Sequence, residues 1–291
     1  MACMVLVLSG VFCAPSFAQW RLRAESTESN AAEAADWTGC LSRALATVAR
    51  ISPARIRFCG RITDNAVGLV EALLQEDDRV LEITSLGGEL DAPIRFAEII
   101  LNRGLNVEII GPCLSGCASY VFVAAANRRV RERGWLGLHN TNTSATFLAR
   151  RASGRDLAAD SAPLWLRAER EQSLYAARGV SMLLLLDPQA RIGTECIKAA
   201  GRNEQTGETE YQIASRAGFW VPTRGQWRSY GVSFEGYAPR SFREATRIAQ
   251  ATLPQSAGEV LVIEYSSESL PQEAEVILSS IAWCDPETVP S

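Results

Sequence analysis

The sequence predicts an α/β domain of stacked β-α units, with a mostly parallel sheet and flanking helices. Strand-like and helix-like runs alternate through the first half of the chain. The links between them are short, as the crossover connections of a parallel sheet require. The chain has 291 residues, of which 47% are hydrophobic, so it can bury a sizeable core.

The elements of the first half follow from apolar periodicity and from cap and turn residues. Asp64 stands at an N-cap position, and Gly104 stops a later helix. A sharp turn at Gly111 and Pro112 is predicted after the third strand. The predicted order is strand Ile56–Ile62, helix Asp64–Gln75, strand Arg79–Thr84, helix Asp91–Arg103, strand Leu105–Ile110, a helix beginning beside Ser115, and strand Trp135–Leu138.

Signals on either side of this array are weaker. A short helix is predicted over Trp37–Ala49, and the polar segment Asn140–Asp160 is predicted to be a loop. The remaining predictions are helix Ala162–Gly179, an apolar run Met182–Leu186 stopped by Asp187, a surface loop Gly201–Thr209, a strand and a helix within Phe219–Val232, helix Arg240–Ala251 and strand Val260–Tyr265.

The N-terminus predicts export. Residues 4–12 are apolar, and Ser16-Phe17-Ala18 before Gln19 fits a signal-peptidase site, although the usual positive charge is missing. We expect a periplasmic or secreted protein with no membrane span after cleavage. The predicted ranges are a signal peptide at 1–18, an N-terminal extension at 19–50, the α/β domain at 51–235 and a C-terminal extension at 236–291.

Cysteine usage agrees with export. Of eight cysteines, Cys3 and Cys13 lie in the predicted signal peptide, which leaves an even number. An even number in an exported chain favours disulfides, and a bridge between Cys113 and Cys117 would brace the turn that holds Ser115. Zinc binding is the alternative, weakened by the single histidine and the lack of a close CxxC pair.

The composition argues against nucleic acid as a binding partner. A formal net charge of −4 gives no signature of nucleic-acid binding. No sequence feature implies a cofactor.

Serine and histidine provide the candidate chemistry. Ser115 lies among small residues at the start of an apolar helix, and His139, the one histidine in the chain, ends a short strand. Gly87 and Gly88 also follow a strand. Because the carboxyl ends of parallel strands share one edge of the sheet, we expect these residues to lie together, as in a serine hydrolase.

The motifs IxxxGG at Ile83–Gly88, CxSxC at Cys113–Cys117 and GxH at Gly137–His139 resemble, in order and spacing, the proteolytic subunit of the Clp protease. They are more similar to its exported bacterial relatives in the ClpP/crotonase superfamily. The resemblance covers about Arg57 to His139 and, faintly, Phe219–Val232. It implies the ClpP/crotonase fold and a homo-oligomer, since relatives form rings or trimers.

The resemblance also implies roles for the site residues. Ser115 matches the nucleophile and His139 the general base. The N–H groups of Gly116 and of Gly87 or Gly88 match the oxyanion hole, where each donor stabilises the transition state by about 3 kcal/mol. Histidine suits the base because its ordinary pKa lies near neutral pH.

The third member of the triad departs from the family pattern. Ala217 and Gly218 stand where the family places an aspartate. The acid is left open among Asp187, Glu195, Glu208 and Glu210, with Asp187 favoured because it ends an apolar run.

We therefore expect an exported serine hydrolase that acts on peptide or protein substrates, or on a related acyl substrate. A non-catalytic binding or scaffold protein that has lost the acid is the main alternative. An acyl-CoA enzyme of the crotonase type ranks last, because an exported protein rarely meets CoA. Ser119 and Cys117 are the alternative nucleophiles, and Lys198, the single lysine, is the one candidate for a serine–lysine dyad.

Overall fold

The computed structural model describes residues 39–43, 45–88, 91–153, 162–202, 209–253, 263–264 and 280–284. The predicted signal peptide and Glu208 lie outside these ranges.

The strands alternate with helices in chain order. The strands are β1 (Thr47–Ser52), β2 (Arg55–Cys59), β3 (Val80–Ser85), β4 (Asn106–Leu114), β5 (Arg128–Val130), β6 (Trp135–Gly137), β7 (Thr194–Arg202), β8 (Thr209–Ser215), β9 (Phe219–Trp220), β10 (Glu235–Gly236), β11 (Ile263–Glu264) and β12 (Ala282–Trp283). The helices are α1 (Asp64–Leu73), α2 (Ala92–Arg103), a π-helix (Cys117–Phe122), α3 (Asn142–Ser153), α4 (Ala162–Arg178), a 3-10 helix (Met182–Leu185), α5 (Asp187–Arg191), α6 (Arg224–Ser229) and α7 (Phe242–Thr252).

A seven-stranded sheet forms the centre of the molecule. Its order is β1-β2-β3-β4-β5-β10, with β6 also paired to β4. Only the β1–β2 pair is antiparallel, so the sheet is mixed but mostly parallel. The predicted α/β class is therefore confirmed. Two smaller sheets pair β9 with β11, and β7 with both β8 and β12.

One face of the central sheet is apolar and packs against helices. Its strands contribute fully buried side chains such as Phe58, Ile83 and Ile109, and α2 contributes Phe96 and Ile100 to the same core. Removal of this surface from water supplies the main driving force for the fold, about 25 cal/mol for each Å² of apolar area buried.

The other face carries a ladder of ion pairs across neighbouring strands. Glu82, with a side chain only 3% exposed, receives Arg55 and Arg57 at 2.7 Å each. Arg131 reaches Glu108 at 2.8 Å. Although burial opposes ionisation, hydrogen bonds from Arg55 and Arg131 lower the pKa of Glu108 below its usual value. This ladder satisfies the charges that the strands bury.

Some predicted elements are wrong. Thr47–Ala49, predicted to be helical, belong to β1, which pairs with β2. β4 does not turn at Gly111 but continues to Leu114, because its second half pairs with β6 and a register shift against β3 accommodates Pro112. The segment predicted as a loop after His139 contains α3.

Three disulfides join the cysteines of the described ranges: Cys40–Cys59, Cys113–Cys117 and Cys196–Cys284. The prediction of disulfides, including a bridge around Ser115, is confirmed. In the same ranges, none of the helices is long and apolar enough to cross a membrane.

Candidate active site

Ser115 forms the turn between β4 and the π-helix. Its φ of 54° lies in the left-handed region that residues other than glycine rarely adopt. Its N–H donates to the Gly137 carbonyl at 3.0 Å, and Ser119 N–H donates to the Ser115 carbonyl at 2.8 Å. Such backbone strain costs about 1–3 kcal/mol and is concentrated at functional sites. A sharp turn of this kind between strand and helix presents a serine hydroxyl.

His139 faces Ser115 because their strands are neighbours. β4 and β6 pair in parallel, so the chain leaves both strands at the same edge of the sheet. Reciprocal backbone hydrogen bonds of 2.8 and 2.7 Å between Leu138 and Trp220 hold the end of β6. His139 Nε2 lies 2.5 Å from Ser115 Oγ. Sheet pairing thus brings two residues distant in the sequence into hydrogen-bond contact.

The surroundings of His139 keep it neutral. The side chain is half-buried and packs beside Phe219, with the ring centroids 5.0 Å apart. Burial lowers the pKa of His139 to about 4, so the imidazole is uncharged at neutral pH. In the tautomer that carries its proton on Nδ1, Nε2 accepts the hydrogen bond from the Ser115 hydroxyl.

The loop after β3 closely approaches the serine. Gly87 has a φ of 101°, and a Cβ at this position would lie 2.6 Å from Ser115 Cβ. A Cβ on Gly88 would lie 1.8 Å from the Ile62 carbonyl oxygen. Both contacts are shorter than side chains tolerate, so this loop needs glycine at both positions.

The N–H groups around Ser115 differ in their availability. Gly87 N–H donates to Ser85 Oγ at 3.1 Å. Gly88 N–H forms no hydrogen bond with any other residue described in the structure. Gly116 N–H stands at the start of the π-helix, where N–H groups lack partners within the helix. Gly88 and Gly116 are therefore the candidate oxyanion donors, while Gly87 shapes the loop.

Asp187, the favoured acid, has other partners. It is fully buried, the Tyr230 hydroxyl donates to its Oδ2, and Arg191 Nη2 lies 3.8 Å from the same oxygen. Among the side chains that the structure describes, no carboxylate forms a hydrogen bond or ion pair with His139. The role of Asp187 as the triad acid stays a prediction, which these contacts do not support.

Of the other candidate acids, Glu195 contacts a different residue, and the structure does not describe the side chains of Glu208 and Glu210. Glu195 has a side chain that is 58% exposed and lies 3.8 Å from Arg216. Glu210 lies on β8, in a stretch where only the backbone is described, and Glu208 is not described. Ala217, which occupies the place of the family's aspartate, is buried.

The alternative nucleophiles and zinc ligands are bonded in disulfides, buried, or in stretches whose side chains the structure does not describe. Cys117 is bonded to Cys113, so it presents no thiol, and the cysteines left for zinc are all in disulfides. Ser119 is buried within the helix. Lys198 lies on β7, in a stretch where the structure describes only the backbone. No group of three or more metal-ligating side chains occurs in the described part of the chain.

Sequence reasoning did not identify every residue that shapes the site. Phe219 packs beside His139, and a Cβ on Gly116 would lie 2.5 Å from Pro93 Cβ. Only tertiary contacts bring these two residues to the site. Ser85, whose Oγ accepts the Gly87 N–H, lies within the Ile83–Gly88 motif, where a short polar residue two positions before a glycine is a recognisable turn signal.

Comparison with known proteins does not assign the chain to a family. No family model matches the chain, and no curated protein matches it significantly.

Proposed function

We propose that this protein is an exported serine hydrolase of the ClpP/crotonase fold, which cleaves peptide bonds or related acyl substrates. The observation that carries the proposal is the distance of 2.5 Å between Ser115 Oγ and His139 Nε2. A serine hydrogen-bonded to a neutral imidazole is the arrangement that activates a hydroxyl nucleophile. The three disulfides support export, because such bonds persist in oxidising compartments.

In the proposed reaction, Ser115 Oγ attacks the substrate carbonyl carbon while its proton moves to His139 Nε2. The carbonyl electrons move onto oxygen, which accepts hydrogen bonds from the N–H groups of Gly88 and Gly116. When the tetrahedral intermediate collapses, the bond to the leaving amine breaks, and the amine takes the proton from His139. Water, deprotonated by His139, then attacks the acyl-enzyme and releases the acid and free Ser115.

The free-energy cost of protonating His139 limits the rate that we expect for the proposed reaction. Burial disfavours the imidazolium that forms on His139, and no described carboxylate compensates its charge. Loss of a correctly placed acid costs about 10⁴ in kcat in serine proteases. We therefore expect slow peptide cleavage and faster turnover of activated esters, whose leaving groups need little protonation.

A serine-directed fluorophosphonate probe tests the proposal. We expect the native protein to be labelled and Ser115→Ala to be unlabelled. Ser119→Ala is the matched control, because it removes a buried hydroxyl from the same helix and is expected to keep the label. Labelling that persists in Ser115→Ala would overturn the assignment of the nucleophile.

A non-catalytic binding protein is the second candidate. The observation in its favour is that Asp187 contacts Tyr230 and Arg191, while His139 has no described carboxylate partner. Absence of both probe labelling and ester hydrolysis in the folded native protein, together with measurable peptide binding, would establish this alternative.

A further inference from the structure

A buried carboxylate outside the Ser115–His139 pair collects an unusual number of hydrogen bonds. Glu171, on α4, is 0% exposed. Its Oε1 accepts from the Tyr120 hydroxyl, from Asn142 N–H at 2.9 Å and from Asn142 Nδ2 at 2.6 Å. Its Oε2 accepts from Thr143 N–H at 2.8 Å and from Thr143 Oγ1 at 2.7 Å. A carboxylate suits this place, because it accepts from all of these donors and offers none.

The donors come from both sides of the candidate site. Tyr120 belongs to the π-helix that begins beside Ser115. Asn142 and Thr143 begin α3, immediately after the segment that carries His139. Burial and the charge of Glu171 raise the pKa of Tyr120 well above its usual value, so the phenol stays protonated and donates. Glu171 therefore links the helix of the nucleophile to the segment of the base.

The link has a physical basis in the first turn of α3. The first N–H groups of a helix lack partners within the helix, and a carboxylate at this end satisfies them and suits the helix dipole. Removal of the carboxylate would leave buried donors unsatisfied, at about 1–3 kcal/mol for each group. The chain at Asn142 and Thr143 would then shift, and His139 lies only a few residues before it.

We propose that Glu171 is a positioning residue, which holds the His139 segment in register with the Ser115 helix. This inference rests on the proposed function. It assigns Glu171 no contact with substrate and no proton transfer. Its effect on hydrolysis comes from the alignment of the base with the nucleophile, where a displacement of about 1 Å costs roughly 100-fold in rate.

The test uses Glu171→Gln with Tyr175→Phe as the matched control. Tyr175 is also a fully buried residue of α4, and its hydroxyl donates to the Ser119 carbonyl at 2.9 Å, so the control breaks a bond between the same two helices without touching the His139 segment. Because His139 is the single histidine in the chain, its imidazole protons give one unambiguous NMR titration in protein without a histidine tag.

We expect the native pKa of His139 to be about 4 and to rise by at least about one unit in Glu171→Gln, because a displaced imidazole regains water. For ester hydrolysis, we expect kcat to fall about 10- to 100-fold with a smaller change in KM. Tyr175→Phe should change neither the titration nor this kcat-to-KM pattern.

If Glu171→Gln does not fold, Tyr120→Phe and Thr143→Val decide the question, because each removes one donor to Glu171 from one side of the link. We expect the same shifts, smaller in size. A His139 titration in folded variants that matches the control would overturn the positioning role. A native protein that hydrolyses nothing would instead overturn the proposed function, while the titration would still report on Glu171.

Discussion

His139 combines two properties that oppose each other in the proposed reaction. Burial keeps the imidazole neutral and ready to accept a proton at neutral pH, but it also makes the protonated form costly. In a complete triad a carboxylate compensates the imidazolium, whereas no carboxylate in the described part of the chain contacts His139. The proposed site therefore places His139 well to accept the proton of Ser115, but it stabilises the protonated form of His139 poorly.

The pH dependence of the proposed hydrolysis should show the effect of burial on the pKa of His139. The pKa of His139 in the folded protein lies below its ordinary value of 6.5, so the neutral base persists on acidification. We expect kcat/KM for an activated ester to be level from about pH 7 to pH 5 and to fall as the pH approaches 4. The contribution of this residue to stability is present above pH 6.5 and is lost as the pH falls from 6.5 toward 4.

Circular dichroism at each pH separates the loss of base from unfolding. An acid limb centred near 6.5 would contradict the prediction, because it would show an imidazole with ordinary access to water.

The glycine loop offers a second residue-scale prediction. Gly87→Ala would place a Cβ 2.6 Å from Ser115 Cβ at a φ of 101°. We expect probe labelling of Ser115 to fall at least about 100-fold, since a small displacement of the nucleophile is costly. The measurement is the rate of labelling under conditions in which the variant is folded.

Gly104→Ala is the matched control for this change. Gly104 also has a positive φ, of 62°, but a Cβ there would meet nothing within 4 Å. We expect it to lower the free energy of unfolding by about 1 kcal/mol and to leave labelling unchanged. Equal labelling in both variants would show that the Gly87 loop does not constrain Ser115.

At the scale of elements, β4 organises the site by changing partners. Its first half pairs with β5 and its second half with β6, so Ser115 emerges beside the strand that immediately precedes Leu138 and His139. The turn that follows β4 is closed by the Cys113–Cys117 disulfide, whose cysteines are both fully buried. The conformation of Ser115 is thus held from the strand side and from the helix side.

Removal of this disulfide should affect the site more than the fold. For Cys113→Ala combined with Cys117→Ala, we expect the free energy of unfolding to fall by about 2 kcal/mol, because the closed loop is short. We expect the labelling rate of Ser115 to fall about tenfold or more as the turn relaxes. Calorimetry and probe kinetics measure the two effects.

Removal of the Cys196–Cys284 disulfide is the comparison. It closes a loop with a sequence separation of 88, so its loss should cost more stability, about 4–5 kcal/mol, without slowing the labelling of the protein that remains folded. If Ser115 is labelled more slowly after loss of Cys196–Cys284 than after loss of Cys113–Cys117, the Cys113–Cys117 bridge has no special role in the site.

At the scale of the whole molecule, the proposed membership of the ClpP/crotonase superfamily predicts a homo-oligomer, since members form rings or trimers. Several large apolar side chains are more than half exposed, including Leu69, Leu166 and Phe242. Because isolated exposed apolar side chains are normal on monomers, the prediction rests on the superfamily resemblance and not on these residues. Light scattering of the purified protein should give a multiple of the monomer mass, and a monomer mass across the accessible concentrations would contradict the prediction.

Much of the architecture could be predicted from periodicity. The alternation of strands and helices from β2 to β6 specified a parallel sheet, and the shared edge of such a sheet led to Ser115 and His139 as neighbours. Errors arose where tertiary pairing overrides local signals. β1 exists because it pairs with β2, and α3 exists because Glu171 binds its first turn and Leu148 packs in a separate small core.

Local patterns therefore determined the fold class, the disulfide-rich character and the candidate nucleophile and base, because each depends on spacing along one or two neighbouring elements. Only the tertiary structure decided which N–H groups near Ser115 lack a partner among the described residues, which partners Asp187 takes and how Glu171 contacts both the π-helix and the start of α3. These features depend on side chains from distant segments meeting in the interior, where burial and hydrogen bonding, rather than sequence spacing, select the partners.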